Sequence, residues 1–249
     1  MKNKQKKQDV RLIALDMDGT LLDANHRVSE ENKKAITAAR NQGVEVILST
    51  GRHFSTCNDY AKSLELSSYL ITVNGSEIWT ASGELVERQL LDIPLIKMLV
   101  DLHKKHKTSA WMTSTDQVFR GEVPDDLDAH QWLKFGFDID DEQVKQLIMD
   151  ELSINESLEV SNSSLTNIEV NAVGINKARA IEKVCQRLNI TMDQVMAIGD
   201  SLNDIKMIEE AGLGIAMGNA QEDVKKVADW ITSTHTESGV AHAIEKWVL

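Results

Sequence analysis

The stretch VRLIALDMDGT, residues 10–20, places two aspartates directly after a short apolar run. Residues 10–15 are rich in branched side chains, which predicts a buried β-strand. Asp16 and Asp18 come just after this strand and are two positions apart. Carboxylates in such a place repel each other and are poorly solvated, so they need a cation. Because Mg²⁺ prefers oxygen ligands, the stretch predicts a strand that ends at a magnesium site.

Short apolar runs alternate with helical patterns before and after a long middle segment. A helix is predicted over 29–41, because Ser29 can cap its N-terminus and acidic residues follow. Further strands are predicted at 44–48, 69–73, 195–198, 214–217 and 230–232. Further helices are predicted at 53–64, 177–188, 204–211, 221–228 and at the end of the chain. This alternation predicts an α/β fold with a Rossmann-like parallel sheet.

The middle segment has a different pattern, in which hairpins and helices follow one another without regular alternation. Helices are predicted at 93–106 and 141–152, and strands at 109–112, 117–120, 158–161 and 167–172. This pattern is typical of an α+β unit. We therefore predict a core formed by residues 1–82 and 173–249, with an inserted α+β domain at 83–172.

Composition and charge exclude several classes of protein. The 249 residues carry a formal net charge of -12, and no long basic run occurs outside the extreme N-terminus, so no nucleic-acid partner is expected. No apolar run approaches the roughly 20 residues of a membrane span, and the basic start at 1–7 predicts a frayed end rather than a signal peptide. Cys57 and Cys185 lie far apart, which predicts reduced, buried thiols and a cytoplasmic location.

Three further polar clusters follow predicted strands or begin a predicted helix, at 49–52, 177 and 199–204. The carboxyl ends of parallel strands share one edge of the sheet, so these clusters can meet Asp16 at one site. The turn at 49–52 suits a phosphoryl oxygen, Lys177 can hold it as a point charge, and Asp200 can be a further metal ligand. A plain helix cap at 49–52 and a solvated surface Lys177 are the alternatives.

The paired aspartates suit phosphoryl transfer. Beside a metal, Asp16 can act as a nucleophile and form an aspartyl phosphate. Asp18 can protonate the leaving alcohol and then activate water for the second step. Two solvated turn acids are the alternative, whereas a calcium-binding EF-hand fits poorly because Gly19 comes too early in the loop.

These motifs together resemble those of the haloacid dehalogenase-like phosphatases, specifically the Cof type. The resemblance lies in DMDGTLL at 16–22, STGR at 49–52, Lys177, GDSLND at 199–204, GIAMGNA at 214–220 and ESGVA at 237–241. It implies an inserted cap domain between the second and third motifs. It also implies Mg²⁺ as cofactor and small phosphorylated metabolites as substrates, such as sugar phosphates or 5-amino-6-(5-phospho-D-ribitylamino)uracil.

The resemblance also implies roles for individual residues. Asp16 would be nucleophile and metal ligand, Asp18 would be acid/base with its carbonyl on the metal, and Asp200 would bind the metal. Asp204 would support the metal site from behind. The backbone would hold phosphate at Met17, Thr50, Gly51, Lys177 and Asn203. Substrate contacts are expected from Arg52, His53 and Asn74.

Two departures from the family pattern concern the third motif and the cap. Ala178 follows Lys177 where glycine is frequent, and residues 125–140 leave the middle of the cap short. A phosphomutase and a phosphometabolite sensor without turnover remain alternatives, and a monomer or weak homodimer is expected.

Overall fold

The computed structural model describes residues 9–249, so the predicted frayed start at 1–7 lies outside the described residues. Two sheets organise the chain, one of eight strands and one of five. The strands of the larger sheet are β1 Leu12–Leu15, β2 Glu45–Ser49, β3 Tyr69–Thr72, β4 Glu77–Thr80, β5 Leu85–Arg88, β11 Val195–Gly199, β12 Leu213–Ala216 and β13 Trp230–Ile231. Their order is β13-β12-β11-β1-β2-β3-β4-β5.

The strands of the smaller sheet are β6 Ser109–Ser114, β7 Val118–Arg120, β8 Trp132–Asp138, β9 Leu158–Ser161 and β10 Asn167–Ala172. This sheet is antiparallel and has the order β7-β6-β8-β10-β9. The helices of the chain are α1 Glu30–Asn41, α2 Phe54–Ser63, α3 Ile93–His106, α4 Glu142–Ser153, α5 Lys177–Leu188, α6 Ile205–Glu210, α7 Glu222–Val227 and α8 Gly239–Trp247. The α/β fold with a parallel-sheet core is therefore confirmed.

Strand β1 lies in the centre of the larger sheet, between β2 and β11, and pairs with both in parallel. Its four residues are completely buried in the main hydrophobic core. Burial of one aliphatic side chain of this size contributes about 1.5–3 kcal/mol, so this apolar strand is held firmly. Leu15 aligns with Leu48 and with Ile198. The residues that follow β1, β2 and β11 therefore emerge at the same edge.

Strand β8 occupies much of residues 125–140, where no strand was predicted. It pairs with β6 and β10 at the centre of the smaller sheet, and Trp132, Phe135 and Phe137 are buried in a second hydrophobic core. The strand was missed because both of its faces are buried, so its sequence lacks the alternation of a half-exposed strand. The cap thus has a complete central strand.

Strands β4 and β5 were also missed, because they carry charged residues at the edge of the larger sheet. Strand β5 pairs with β4, so residues 85–88 form the edge strand of the larger sheet. The division of the chain into domains at 82 and 173 remains a prediction. Among residues 9–249, no helix is both long and apolar enough to cross a membrane.

The two cysteines provide a test of the packing of α2 and α5. Cys57 and Cys185 are free and buried, and burial raises the pKa of their thiols to about 12 and about 11. An unperturbed thiol has a pKa of about 8.5 and is partly ionised at pH 8, whereas these raised pKa values leave few thiolates at that pH. We expect the native protein to react slowly with dithionitrobenzoate at pH 8, and both thiols to react at once in denaturant. Two fast-reacting thiols in the native protein would contradict this packing.

Candidate active site

A cavity of about 530 Å³ lies beside the carboxyl ends of β1 and β2. The larger sheet and its loops contribute Asp16, Asp18 and Gly51 to the wall of this cavity. The smaller sheet contributes Lys134 and Glu169, among others. The inserted segment therefore closes over the edge at which the predicted polar clusters meet.

Lys177 links two of the predicted acids. Its ammonium Nζ is 2.5 Å from Asp16 Oδ1 and 2.6 Å from Asp204 Oδ1, and the side chain is completely buried. Burial opposes the charge on Lys177, but the two carboxylates outweigh burial and raise its pKa. The alternative of a solvated surface lysine is therefore wrong. The pKa of Asp16 is raised well above its usual range, because burial and the nearby charges of Asp204 and Asp200 outweigh the attraction of Lys177.

Asp200 lies close to Asp16 and Asp204 and is fixed by two hydroxyl groups. Thr20 Oγ1 donates to Asp200 Oδ1 at 2.8 Å, and Ser201 Oγ donates to Asp200 Oδ2 at 3.0 Å. Gly19 has φ +79°, and a Cβ there would lie 2.5 Å from Asp200 Oδ2. Only glycine therefore permits this approach.

Asp16, Asp200 and Asp204 form a cluster in which one carboxylate oxygen from each lies within 4.8 Å of the others. Burial, followed by the charge of Asp204, raises the pKa of Asp200 to about 7. Lys177 forms ion pairs with Asp16 and Asp204, so one ammonium faces a cluster of three carboxylates, and the cluster has excess negative charge. A hard divalent cation fits this set of oxygen donors.

Asp204 supports the loop after β11. Its Oδ2 accepts from the backbone N–H groups of Asp200 at 2.9 Å and Ser201 at 3.1 Å, while its Oδ1 accepts from Lys177. A Cβ on Gly199 would lie 2.4 Å from Asp204 Cγ, so the carboxylate is packed directly against the strand end. Both oxygens are therefore engaged with the protein, as the predicted supporting role requires.

Asp18 is held apart from this cluster by Arg52. The guanidinium donates from Nε to Asp18 Oδ2 at 2.7 Å and from Nη2 to Asp18 Oδ1 at 2.5 Å. The Asp18 side chain is 49% exposed, so it faces solvent and the cavity. The hydrogen bonds to Asp18 raise the pKa of Arg52. In this arrangement Arg52 fixes the rotamer of Asp18, and its predicted contact with substrate stays a prediction.

The groups available to bind phosphate differ from those expected. The backbone N–H of Thr50 donates to Ile71 O at 2.9 Å, and that of Asn203 donates to Asn162 O at 3.0 Å. Sheet pairing uses the first N–H group and the loop between β9 and β10 uses the second, so backbone phosphate binding at Thr50 and Asn203 stays a prediction. The Thr50 hydroxyl and the Asn203 amide, both in reach of the cavity, are the groups that remain. The N–H of Gly51 donates no hydrogen bond within residues 9–249.

His53 and Asn74, the other two predicted substrate contacts, lie in different surroundings. His53 lines the cavity and caps α2, and its Nε2 lies 3.2 Å from Thr115 O, in the turn between β6 and β7. Asn74 is buried, and its Nδ2 donates to Glu169 Oε2 at 2.6 Å and Asn171 Oδ1 at 3.2 Å. These hydrogen bonds argue against a substrate contact from Asn74.

Lys134 and Glu169 were missed by the sequence analysis. Both are buried in central strands of the smaller sheet and line the cavity. A lysine inside the aromatic run WLKFGFD, residues 132–138, was the available signal, because lysine is almost never fully buried unless it is paired. Because β8 was not predicted, this lysine could not be placed in a buried strand.

Comparisons with known proteins cover nearly the whole chain. The model of the haloacid dehalogenase-like hydrolase family matches residues 13–123 and 122–244. The chain is 56% identical over 241 residues to the 5-amino-6-(5-phospho-D-ribitylamino)uracil phosphatase YcsE of Bacillus subtilis, with 97% of each chain covered. It is 31% identical to an HMP-PP phosphatase of Cronobacter sakazakii, with 96% of each chain covered.

A solved structure agrees with these matches. A haloacid dehalogenase-like hydrolase from Bacillus subtilis superimposes with a TM-score of 0.88 at 26% identity, covering 95% of this chain and 99% of the other. The resemblance inferred from the motifs is confirmed.

Proposed function

This chain belongs to the haloacid dehalogenase-like hydrolases, and from that membership we propose a mechanism for its phosphatase activity in which Asp16 is the nucleophile. It is a phosphoric monoester hydrolase that acts on small phosphorylated metabolites. The observation that carries the mechanism is the Asp16 carboxylate at the cavity wall, 2.5 Å from the buried ammonium of Lys177.

In the first step an Asp16 carboxylate oxygen attacks phosphorus, and the bond from phosphorus to the ester oxygen breaks. Asp18 donates a proton to the departing alkoxide, which leaves as an alcohol. Lys177, the Thr50 hydroxyl and the Gly51 N–H hold the phosphoryl oxygens. The side-chain amide of Asn203, which also lines the cavity, binds them as well. The aspartyl phosphate on Asp16 is the product of this step.

In the second step the Asp18 carboxylate takes a proton from water, and the water oxygen attacks phosphorus. The bond between phosphorus and Asp16 then breaks, which restores the carboxylate and releases inorganic phosphate. Arg52 supports both steps because its two hydrogen bonds keep Asp18 in one orientation. The half-exposed Asp18 has access to water for this second step.

We assign the magnesium site to carboxylate oxygens of Asp16 and Asp200 and the backbone carbonyl of Asp18. The excess negative charge of the buried cluster supports this assignment. When bound, Mg²⁺ neutralises charge on the transferring phosphoryl group. Asp204 holds the loop that carries Asp200.

Removal of the metal is expected to abolish turnover. Chelation by EDTA followed by desalting should reduce the rate to background, and Mg²⁺ should restore it. Because the ion binds the folded state, added Mg²⁺ should also raise the melting temperature of the metal-free protein. Full activity after exhaustive chelation would contradict the site as assigned.

For the substrate we propose 5-amino-6-(5-phospho-D-ribitylamino)uracil. The support is the name of the 56% identical relative, which is covered over 97% of both chains. The 31% identical relative is named for a different phosphorylated compound, so substrate choice varies within the family. A cavity of about 530 Å³ falls within the 300–1,000 Å³ usual for small-molecule sites.

The experiment is phosphate release from a panel of phosphorylated metabolites in the presence of Mg²⁺. The panel contains this ribityl compound, sugar phosphates, nucleotides, phosphoserine and phosphoglycolate. We expect the ribityl compound to give the highest kcat/KM. A higher value for another member would reassign the substrate, and release from none would favour a phosphomutase or a sensor. The cytoplasmic location and the monomeric or weakly dimeric state remain predictions.

A further inference from the structure

Lys134 is a buried cation of the smaller sheet that reaches the phosphate-binding turn of the larger one. It lies on β8 and is 2% exposed. Its Nζ donates to the carbonyl oxygen of Gly51 at 2.8 Å. The ring of Trp111 covers the ammonium, with its centroid 4.7 Å from Nζ. A cation in this position contacts the turn without being solvated.

The contact to Gly51 completes the fixation of the turn at 50–52. The Thr50 carbonyl accepts from Asn74 N at 3.0 Å, and Arg52 N donates to Thr50 Oγ1 at 3.2 Å. Lys134 is the group that holds the Gly51 carbonyl. A Cβ on Gly51 would lie 2.9 Å from Asn74 Oδ1 and 3.2 Å from Lys134 Nζ, so both side chains approach the backbone closely.

A chain of hydrogen bonds extends from Lys134 to the other phosphate-binding loop. Glu169 Oε2 accepts from Lys134 Nζ at 3.2 Å and from Asn74 Nδ2 at 2.6 Å. Asn74 Oδ1 accepts from Asn203 Nδ2 at 3.3 Å. The side chain of Asn203, which the mechanism places at the phosphate, is therefore connected to the inserted domain through two buried residues.

We propose that Lys134 is a positioning residue, which holds Gly51 and, through Glu169 and Asn74, Asn203 in the geometry that binds phosphate. The phosphate site is complete only when the smaller sheet is docked against the larger one. This inference rests on the proposed function, because it takes Gly51 and Asn203 as phosphate-binding residues. It assigns Lys134 no contact with the rest of the substrate.

The test measures the affinity of inorganic phosphate by titration calorimetry in Mg²⁺, together with kcat and KM on p-nitrophenyl phosphate and on the best metabolite of the panel. Lys134→Met is the first variant. Because it leaves Glu169 buried without its cation, Lys134→Met/Glu169→Gln is the second, with neutral side chains at both positions. Loss of a hydrogen bond from a charged donor predicts phosphate binding weaker by about tenfold or more in both variants.

A matched control is Lys206→Met. Lys206 on α6 also pairs with an acid of the smaller sheet, Glu159 on β9, but neither residue lines the cavity. We expect this variant to bind phosphate as the wild type does. An equal loss in Lys206→Met would overturn the proposal, because docking alone would then explain the effect.

Two other results would also overturn it. One is unchanged phosphate affinity in the folded double variant. The other is a loss of kcat/KM confined to the metabolite, since a positioning role must affect both substrates equally. Failure of the proposed function is distinguishable: no member of the panel would be hydrolysed by the wild type, whereas calorimetry would still report phosphate affinity in each variant.

Discussion

Asp16→Asn is expected to reduce turnover by roughly 10⁴-fold or more, because the amide cannot form the acyl phosphate on which both steps depend. The substitution is nearly isosteric, so the buried site retains its shape. It also removes one of the three carboxylates in the acidic cluster, and burial already raises the pKa of Asp16. The metal-free variant should therefore melt at the same temperature as the wild type or higher.

The measurement compares phosphate release by the two proteins on the best substrate, with thermal unfolding recorded without metal. Leu147→Ala serves as a control for handling and purity, because Leu147 lies on the exposed side of α4 with 53% of the residue accessible. Turnover by Asp16→Asn within tenfold of the wild type would rule out Asp16 as the nucleophile. A collapsed melting temperature would mean that the carboxylate is needed to balance Lys177.

Lys177→Met is expected to affect both stability and activity. Its removal leaves Asp16 and Asp204 buried without their ammonium partner, and loss of one member of a buried ion pair costs about 3–5 kcal/mol. Loss of the cation from the phosphate site should lower kcat/KM by a further factor of roughly 10²–10³. Urea unfolding and steady-state kinetics, both at fixed Mg²⁺, measure the two effects.

A second substitution tests whether charge is the reason. Lys177→Met/Asp204→Asn removes one carboxylate along with the ammonium, so it should recover part of the lost free energy of unfolding. Activity should not recover, because the cation beside Asp16 is still missing. If the double variant loses more free energy of unfolding than the two single variants lose in sum, uncompensated charge is not the cause of the loss.

The core of the site could be predicted because its residues are adjacent to the strands that position them. The apolar run at 10–15 identifies β1, and Asp16 follows it directly. Asp200 follows β11 in the same way. Parallel pairing of these strands then brings the two acids together. The burial of Lys177 was harder to predict, because it depends on contacts with Asp16 and Asp204, which lie 161 and 27 positions away in the chain.

The hydrogen-bond partners of the predicted backbone groups depend on strand register and on the second sheet. Whether the N–H of Thr50 is free is decided by the pairing of β2 with β3, which gives it to Ile71. Whether the N–H of Asn203 is free is decided by a cap loop that approaches from residue 162. Neither fact follows from local sequence.

The cap was predicted less well for a related reason. Lys134 and Glu169 lie in strands whose charged residues point into a buried network, so their sequences do not alternate in the usual way. Their partners Gly51 and Asn74 belong to the larger sheet and its loops. Only the docking of the two sheets relates these residues to one another.

The covalent step is tested most directly by trapping the phosphorylated enzyme. Wild-type protein is mixed with Mg²⁺ and its best substrate, quenched with borohydride during turnover, digested, and analysed by peptide mass spectrometry. We predict homoserine in place of aspartate at position 16, from reduction of the acyl phosphate, and none without substrate. Sustained phosphate release with unmodified Asp16, or with the modification on another carboxylate, would contradict the mechanism.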